Sequence, residues 1–351
     1  MNFILDQMTC LKYFIPLITE GNARGISSKV YWTPSRKYNC PSIHIEPLNK
    51  LAKEFNFEVF KAESFPSSSQ DLCFSVEGRG VEFAPRATKV ALTSMVDFRG
   101  EGGLYDKHID KLNYYIFPNK SWVTLMPENI GNPATSPPGV ANRPKRFNEK
   151  KNLFLGSPKY DLNLNKDEII KKYNLSNKKK CFMFYPRSRD LHKIDVNKVL
   201  ELLKKLDYEI LVKYRAKENC RLNKNDNIKI FKDETWHPHT SLELIYASDL
   251  VINTDSTGIK ECVLFKKPVL NFKIKPFENW LNFLYNEKFH VELTMPIDYN
   301  LIEKKIAKLT NVKPENFQDT IDRFLFKPNS SKRILDFFYE DSNFNNRHQA
   351  P

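Results

Sequence analysis

The sequence predicts an α/β protein built as two doubly wound parallel-sheet domains, and three observations carry the prediction. From residue 181 onward, short apolar runs alternate with stretches of helical period, the mark of parallel strands joined by crossover helices. The first 120 residues alternate in the same way with weaker periodicity. Between the two, residues 127–151 carry Pro127, Pro133, Pro137, Pro138 and Pro144 with Gly131 and Gly139, a density of helix and strand breakers that suits a connection between domains. A length of 351 residues accommodates two cores at roughly 100–200 residues each. The division expected is 1–150, 151–315, and a segment 316–351 whose helices return to the first domain before a frayed, polar tail.

Taken in order, the first domain is expected to place strands at the apolar runs 14–18, 30–32, 57–60, 72–76, 90–95 and 114–117, with an amphipathic helix at 45–55. In the second, strand 181–185 precedes helix 196–206, which puts Val196, Val199, Leu200 and Leu203 on one face, and strand 208–213 follows. Strand 228–231, helix 240–247, strand 249–253, helix 257–265 and strand 268–272 complete the alternation, and helical patterns at 314–326 and 330–338 close the chain. No fixed-period repeat is present, which excludes solenoids and propellers. Open parallel sheets bind ligands at the carboxyl ends of their strands, where strand order reverses, so the residues just past each strand are the ones to examine.

Composition narrows the function classes. With 41% hydrophobic residues and 55 Lys plus Arg against 42 Asp plus Glu, the chain folds rather than remaining disordered. No apolar run approaches the ~18 residues that span a bilayer. The start lacks the basic-then-apolar layout of a secretory signal, so the expected location is cytoplasmic. Six cysteines, at 10, 40, 73, 181, 220 and 262, form no C-x-x-C pair and read as reduced, mostly buried thiols. The formal charge of +13 favours anionic partners: nucleic acid, an anionic membrane surface or phosphorylated substrates. Nucleic acid is disfavoured, because the cations are spread along the chain rather than interleaved with aromatics on one face.

The most informative segment is 248–272, SDLVINTDSTGIKECVLFKKPVLNF. An apolar strand ends in Asn253-Thr254-Asp255, and Ser256, Thr257 and Gly258 then open a helix. Backbone N–H groups, two hydroxyls and the positive end of a helix dipole together make a phosphate cradle, and Gly258 would let a phosphate approach the backbone. Glu261, one turn on, is placed to meet a ribose hydroxyl pair. Two other strand ends add to it: Pro186-Arg187-Ser188-Arg189-Asp190 after 181–185, and Lys213 with Arg215 after 208–213. Three strand ends offering cations and hydroxyls suit a polyanion better than an apolar ligand.

The combination FYPRSRD (184–190), VKYR (212–215), SDLVINTDST (248–257), KKPVLNF (266–272) and FLFKPNSSKRILDF (324–337), introduced by LFLGSPKYD from residue 153, resembles the CDP-glycerol glycerophosphotransferases and, more broadly, GT-B glycosyltransferases of surface polysaccharides. The resemblance implies two Rossmann-like domains facing a central cleft, with the acceptor bound mainly by the first and the nucleotide donor by the second. It implies that Ser188 and Arg189 line the donor, that Lys213 and Arg215 neutralise its diphosphate, and that Asp255, Ser256 and Thr257 hold phosphate and ribose. It also implies no metal and no separate cofactor: cations and helix dipole would stabilise the departing nucleotide, and no Asp-x-Asp motif stands ready for Mg²⁺. The chain departs from the pattern at Arg215-Ala216-Lys217, where the family has His-Pro, and at Val96-Asp97-Phe98-Arg99-Gly100, where it has His-Gly after a strand.

Transfer to a hydroxyl requires a base. Asp97, beside RGEGG, is the expected one, with His108, Glu101 and His44 as rivals. The segment Glu20-Gly21-Asn22-Ala23-Arg24-Gly25 is expected to be a loop after the first strand, bringing N–H groups to donor phosphates. His237-x-His239 lacks a nearby third zinc ligand, and Trp236 with His237 can stack on a base or sugar.

The expected function is a metal-independent transferase moving a sugar or polyol phosphate from a UDP- or CDP-linked donor to a glycan or lipid-linked acceptor, at the inner face of an anionic membrane. The alternatives are a UDP-N-acetylglucosamine 2-epimerase-like enzyme, which Asp255-Ser256-Thr257-Gly258-Ile259-Lys260-Glu261 resembles, and a non-catalytic GT-B scaffold.

Overall fold

The computed structural model describes residues 1–33, 43–93, 106–121, 148–214, 220–222, 227–232, 236–274, 284–325 and 328–340, with backbone alone at 106–108. It forms two compact units, Met1–Leu162 with Phe326–Pro351, and Asn163–Leu325. Residues 151–162 therefore cluster with the first unit and 316–325 with the second, so of the two expected C-terminal helical segments the one at 330–338 lies with the first unit while the one at 314–326 stays almost entirely with the second.

In the first unit, strands β1 (Asn2–Leu5), β2 (Lys29–Trp32), β3 (Glu58–Lys61), β4 (Leu72–Val76), β5 (Thr88–Leu92), β6 (Tyr114–Ile116) and β7 (Asn152–Leu153) form one parallel sheet in the order β3-β2-β1-β4-β5-β6-β7. All four residues of β1 are buried at the centre of the sheet. The apolar run at 14–18 is not a strand. It lies inside helix α1 (Leu11–Ala23), which buries Leu11, Tyr13, Phe14, Ile15, Leu17 and Ile18 and carries Pro16 within it. A helix covered on nearly every side has no polar face, so its period vanishes and a short apolar run reads equally as strand. Helix α2 (Ile45–Phe55) has the predicted bounds, buries Leu48 and Ala52, and ends on Asn56 in the left-handed conformation at φ 53°.

The second unit follows its predicted alternation closely. Strands β8 (Lys180–Phe184), β9 (Glu209–Tyr214), β10 (Ile228–Lys232), β11 (Leu250–Asn253), β12 (Val269–Lys273) and β13 (His290–Thr294) are all parallel, in the order β10-β9-β8-β11-β12-β13. They are connected through α3 (Lys166–Lys172, before β8), α4 (Val196–Lys205), α5 (Thr240–Ala247), α6 (Ile259–Leu264), α7 (Ile302–Leu309) and α8 (Gln318–Phe324). Helix α4 presents Val196, Val199, Leu200 and Leu203 to a core that includes Ile210, Val212 and Ile252. Elements β13, α3 and α7 were not expected from the sequence, whose apolar residues there are sparse.

Helix α9 (Ser330–Leu335) is tied by hydrogen bonds to the segment that follows β7. Its N-cap residue, Asn329, makes no side-chain cap. Asp161 does so instead, accepting from Ser330 N at 3.0 Å and Ser331 N at 2.5 Å. Arg333 Nε donates to Leu155 O at 3.2 Å, and Gly156, at φ +101°, sits so close that a Cβ would come within 2.1 Å of Ser330 Oγ. The segments LGSPKYD and KPNSSKR are thus one hydrogen-bonded structure. Asp161→Ala should lower the unfolding free energy by about 1–2 kcal/mol, the usual cost of a lost helix cap. Urea denaturation checks this, and Asp161→Asn should retain part of the loss.

Candidate functional site

In the second unit's sheet the strand order reverses between β8 and β11, which defines the switch point at their carboxyl ends. Thr254 Oγ1 donates to Phe184 O at 3.4 Å across that point. The polypeptide then turns sharply through Asp255, whose φ is +50°, into α6.

A buried polar lattice holds the turn. Asn253, Asn271 and Glu292 are register partners on β11, β12 and β13, so their side chains line one face. Asn271 is fully buried, and its amide is fully used. Its Oδ1 accepts from Asn253 Nδ2 at 3.0 Å and Asp255 N at 3.1 Å; its Nδ2 donates to Asp255 Oδ1 at 3.0 Å and Glu292 Oε2 at 3.3 Å. Asp255 Oδ2 also accepts from Ile274 N at 2.9 Å. Asn253 Oδ1 accepts from Ser256 N at 3.2 Å.

These bonds change the roles expected of several residues. Asp255 is a buried carboxylate that shapes the turn from within. Ser256 Oγ accepts from Gly258 N at 3.3 Å, and the N–H groups of Ile259 and Lys260 reach Ser256 O and Thr257 O at 3.4 Å each. Most of the expected cradle is therefore satisfied internally. The N–H and hydroxyl of Thr257 are left without a hydrogen bond among the described residues, and Thr257 is partly exposed. Gly258 serves packing, because a Cβ there would come within 2.1 Å of the Phe184 ring, where a close-approaching phosphate was expected. Glu261 is buried in α6, a helix of six residues.

Ser188 and Arg189 begin a 3₁₀ turn directly after β8 and are exposed, the Arg189 side chain by 69%. The neighbouring Asp190 is buried and paired with Lys193 at 3.1 Å, which anchors the turn. Lys213 lies near the carboxyl end of β9, buried, and its carbonyl accepts from Tyr185 N at 3.0 Å. The structure thus brings Ser188, Arg189, Lys213 and Thr257 to neighbouring strand ends of one sheet. Arg215, Asp97 and Glu101 lie outside the described residues, as does the side chain of His108. His44 precedes α2 and is exposed.

Segment 20–25 is not a phosphate loop. Its first four residues end α1, Glu20 Oε1 accepts from Arg24 Nε at 2.9 Å, and Arg24 Nη1 also meets Asp336 at 2.8 Å and Glu340 at 2.9 Å. These contacts tie α1 to the returning C-terminal segment. Trp236, His237 and His239 lie between β10 and α5, on the carboxyl side of the sheet, with His239 Nδ1 3.0 Å from Ser241 Oγ. Among the described residues no group of three His, Cys, Asp or Glu could hold a metal ion, and no helix is long and apolar enough to cross a membrane. The sequence reading noted Asn253 at the strand end without giving it a role and missed Asn271, whose signal was a polar residue at the same position of two apolar strands. It also missed Asp6, Glu77 and Arg79, which the first unit's sheet brings together.

The chain matches no protein-family model and no curated protein. Solved structures do match. The wall teichoic acid polymerase TagF is 15% identical at a TM-score of 0.62, over 99% of this chain and 90% of that one. A UDP-GlcNAc 2-epimerase from Neisseria meningitidis, bound to UDP-GlcNAc, is 12% identical at 0.59, over 97% and 99%. A glycosyltransferase from Rickettsia africae ESF-5 is 12% identical at 0.54, over 97% and 98%. The fold is that of the GT-B class.

Two predictions follow from this geometry. Asn271→Leu removes the partner of Asp255 Oδ1 and of the Asp255 N–H in a buried site, so it should destabilise by about 2–3 kcal/mol in chemical denaturation. Burial lowers the pKa values of His237 and His290 from 6.5 to about 4, which keeps both neutral when folded. The unfolded chain takes up those protons first, so their stability contribution is intact above pH 6.5 and lost as pH falls from there toward 4. The loss should be about 1.4 kcal/mol per pH unit per histidine, and His290→Gln should halve the combined slope.

Proposed function

We propose that the chain is a GT-B transferase that moves a sugar or polyol phosphate from a UDP- or CDP-linked donor to a hydroxyl of a surface glycan or lipid-linked acceptor. The observation that carries the proposal is the rigid turn at 253–258, set at the switch point of a parallel sheet with Ser188, Arg189 and Lys213 at the flanking strand ends. The names of the matching structures support it, one being a polymerase of wall teichoic acid and another an epimerase holding UDP-GlcNAc. In this reading Thr257 receives a phosphate oxygen, and Arg189 and Lys213 take up the charge that develops on the departing nucleotide, without Mg²⁺. Trp236 provides a surface for the base. The net charge of +13 favours residence at an anionic membrane, where a lipid-linked acceptor is found.

A second reading, a UDP-N-acetylglucosamine 2-epimerase-like enzyme, is favoured by the DSTGIKE run at 255–261 and by the epimerase among the matching structures. Turnover of a nucleotide sugar without any acceptor would select it. For the transferase, calorimetry in EDTA should show binding of UDP or CDP, and Lys213→Ala should weaken that binding about 10–100-fold, the worth of a charge-assisted hydrogen bond. Failure of every nucleoside diphosphate to bind, with and without Mg²⁺, contradicts the proposal.

A further inference from the structure

At the amino edge of the second unit's sheet, away from the turn at 253–258, the chain holds a lysine where an apolar residue is the rule. Helix α6 ends in a Schellman turn. Lys266 takes the left-handed conformation at φ +56°, its N–H donates to Val263 O at 3.1 Å, and the N–H of Lys267 donates to Cys262 O at 2.8 Å. Pro268 then leads into β12. The residue after the left-handed one commonly packs an apolar side chain back onto the helix. Here that residue is Lys267, and its side chain is partly buried.

The Lys267 ammonium meets no acceptor in that place. Lys89, Lys172 and Lys180 each end on a carbonyl or carboxylate oxygen, at 2.8, 2.8 and 2.9 Å. Lys267 Nζ makes no hydrogen bond or ion pair among the described residues, and lies instead over the Tyr246 ring of α5, 5.7 Å from its centroid. Tyr246 is itself packed edge-on against Phe265, with ring centroids 5.4 Å apart. The groups that act on the ammonium are Lys166 at the start of α3, Asp249 before β11 and the Cys262 thiol of α6. Asp249 is engaged elsewhere: Oδ1 is 3.5 Å from Lys166 Nζ, and Oδ2 accepts from Lys180 N at 2.8 Å. Cys262 is buried, which raises its pKa and keeps it neutral. Burial first, and Lys166 second, lower the Lys267 pKa from 10.5 to about 8, against the opposing pull of Asp249 and Cys262. A lysine so placed is partly the free amine near neutral pH, and the free amine is the nucleophile.

We propose that Lys267 is a site of covalent modification, its amine accepting the acyl group of an acyl phosphate. The proposal is independent of the transferase reading, whose site lies at the other edge of the sheet. The lone pair of the neutral amine adds to the acyl carbon. The bond from that carbon to the phosphate oxygen breaks with its electron pair on the phosphate, and the nitrogen gives its extra proton to water. The products are an amide on Lys267 and inorganic phosphate. An acyl phosphate suits the place because the exposed Lys166 ammonium attracts its phosphate, while the Tyr246 ring gives the acyl chain an apolar wall. Modification breaks no ion pair or hydrogen bond of the Lys267 side chain among the described residues.

The test incubates the full chain with acetyl phosphate from about pH 6.5 to about pH 10, spanning lowered and ordinary lysine pKa values, and reads acetylation at each lysine by peptide mass spectrometry. Near neutral pH, Lys267 should react at least about tenfold faster than the exposed Lys171 and Lys304, because an ordinary lysine is half neutral only near about pH 10.4. The Lys267 rate should reach half its plateau near the lowered pKa of about 8. Lys166→Gln, at an exposed position, removes the neighbouring cation and should move that midpoint to higher pH; accessibility of Lys267 alone would not move it. Lys267→Arg should remove the fast phase of acetyl incorporation and leave the rates at Lys171 and Lys304 within about twofold. Reaction at Lys267 no faster than at Lys171 and Lys304, or a midpoint unmoved by Lys166→Gln, overturns the inference.

Discussion

The second unit's site depends on one side chain being fully satisfied. Asn271 is buried without access to water, and each of its four hydrogen-bonding positions has a partner. Low surrounding polarity makes such bonds strong and makes their loss expensive. That asymmetry fixes Asn253 and Asp255 relative to three strands at once. A left-handed aspartate thereby becomes tolerable at the entrance to α6, and Thr257 is left as the turn's unspent polar residue.

The same logic explains why the turn is not an open ring of donors. Buried N–H groups left without partners cost free energy; this turn satisfies most of its own from Asn253, Ser256 and Thr257. In the proposed reading, what remains for recognition is the Thr257 N–H and hydroxyl, and the cations come from other strand ends, Arg189 after β8 and Lys213 on β9. Preorganisation of this kind lowers the ordering cost of binding an anion.

Both units place charged or polar groups at the carboxyl edge of a sheet whose order reverses at its centre. The second unit offers lysine, arginine and hydroxyls; the first offers Asp6 and Glu77 with Arg79 held between them. The second unit was largely legible in the sequence because its strands are continuous apolar runs set off by polar turns: α4, which keeps an exposed face, was predicted within one residue, and α5, although buried at all positions but one, to the residue. The first was less so. Strand β1 is four residues long at the very start of the chain, and α1 is buried on nearly every side, so that neither shows its period. The candidate residues were found where a motif is local, as in 253–258, and missed where the fold assembles them from afar, as with Asp6 and Arg79, which stand 73 residues apart. The role of Gly258 was misjudged for a related reason: the atom it makes room for belongs to Phe184, on another strand.

The central claim is that a nucleotide diphosphate is held at the carboxyl edge of the second unit's sheet. Amide hydrogen exchange on the full chain, with and without saturating UDP or CDP, reads this location directly. The account predicts slowed exchange confined mainly to the peptides spanning 184–190, 211–214 and 253–258. Protection by a bound nucleotide that leaves those three segments unchanged and falls instead on the amino ends of the same strands, or on the first unit alone, would contradict it.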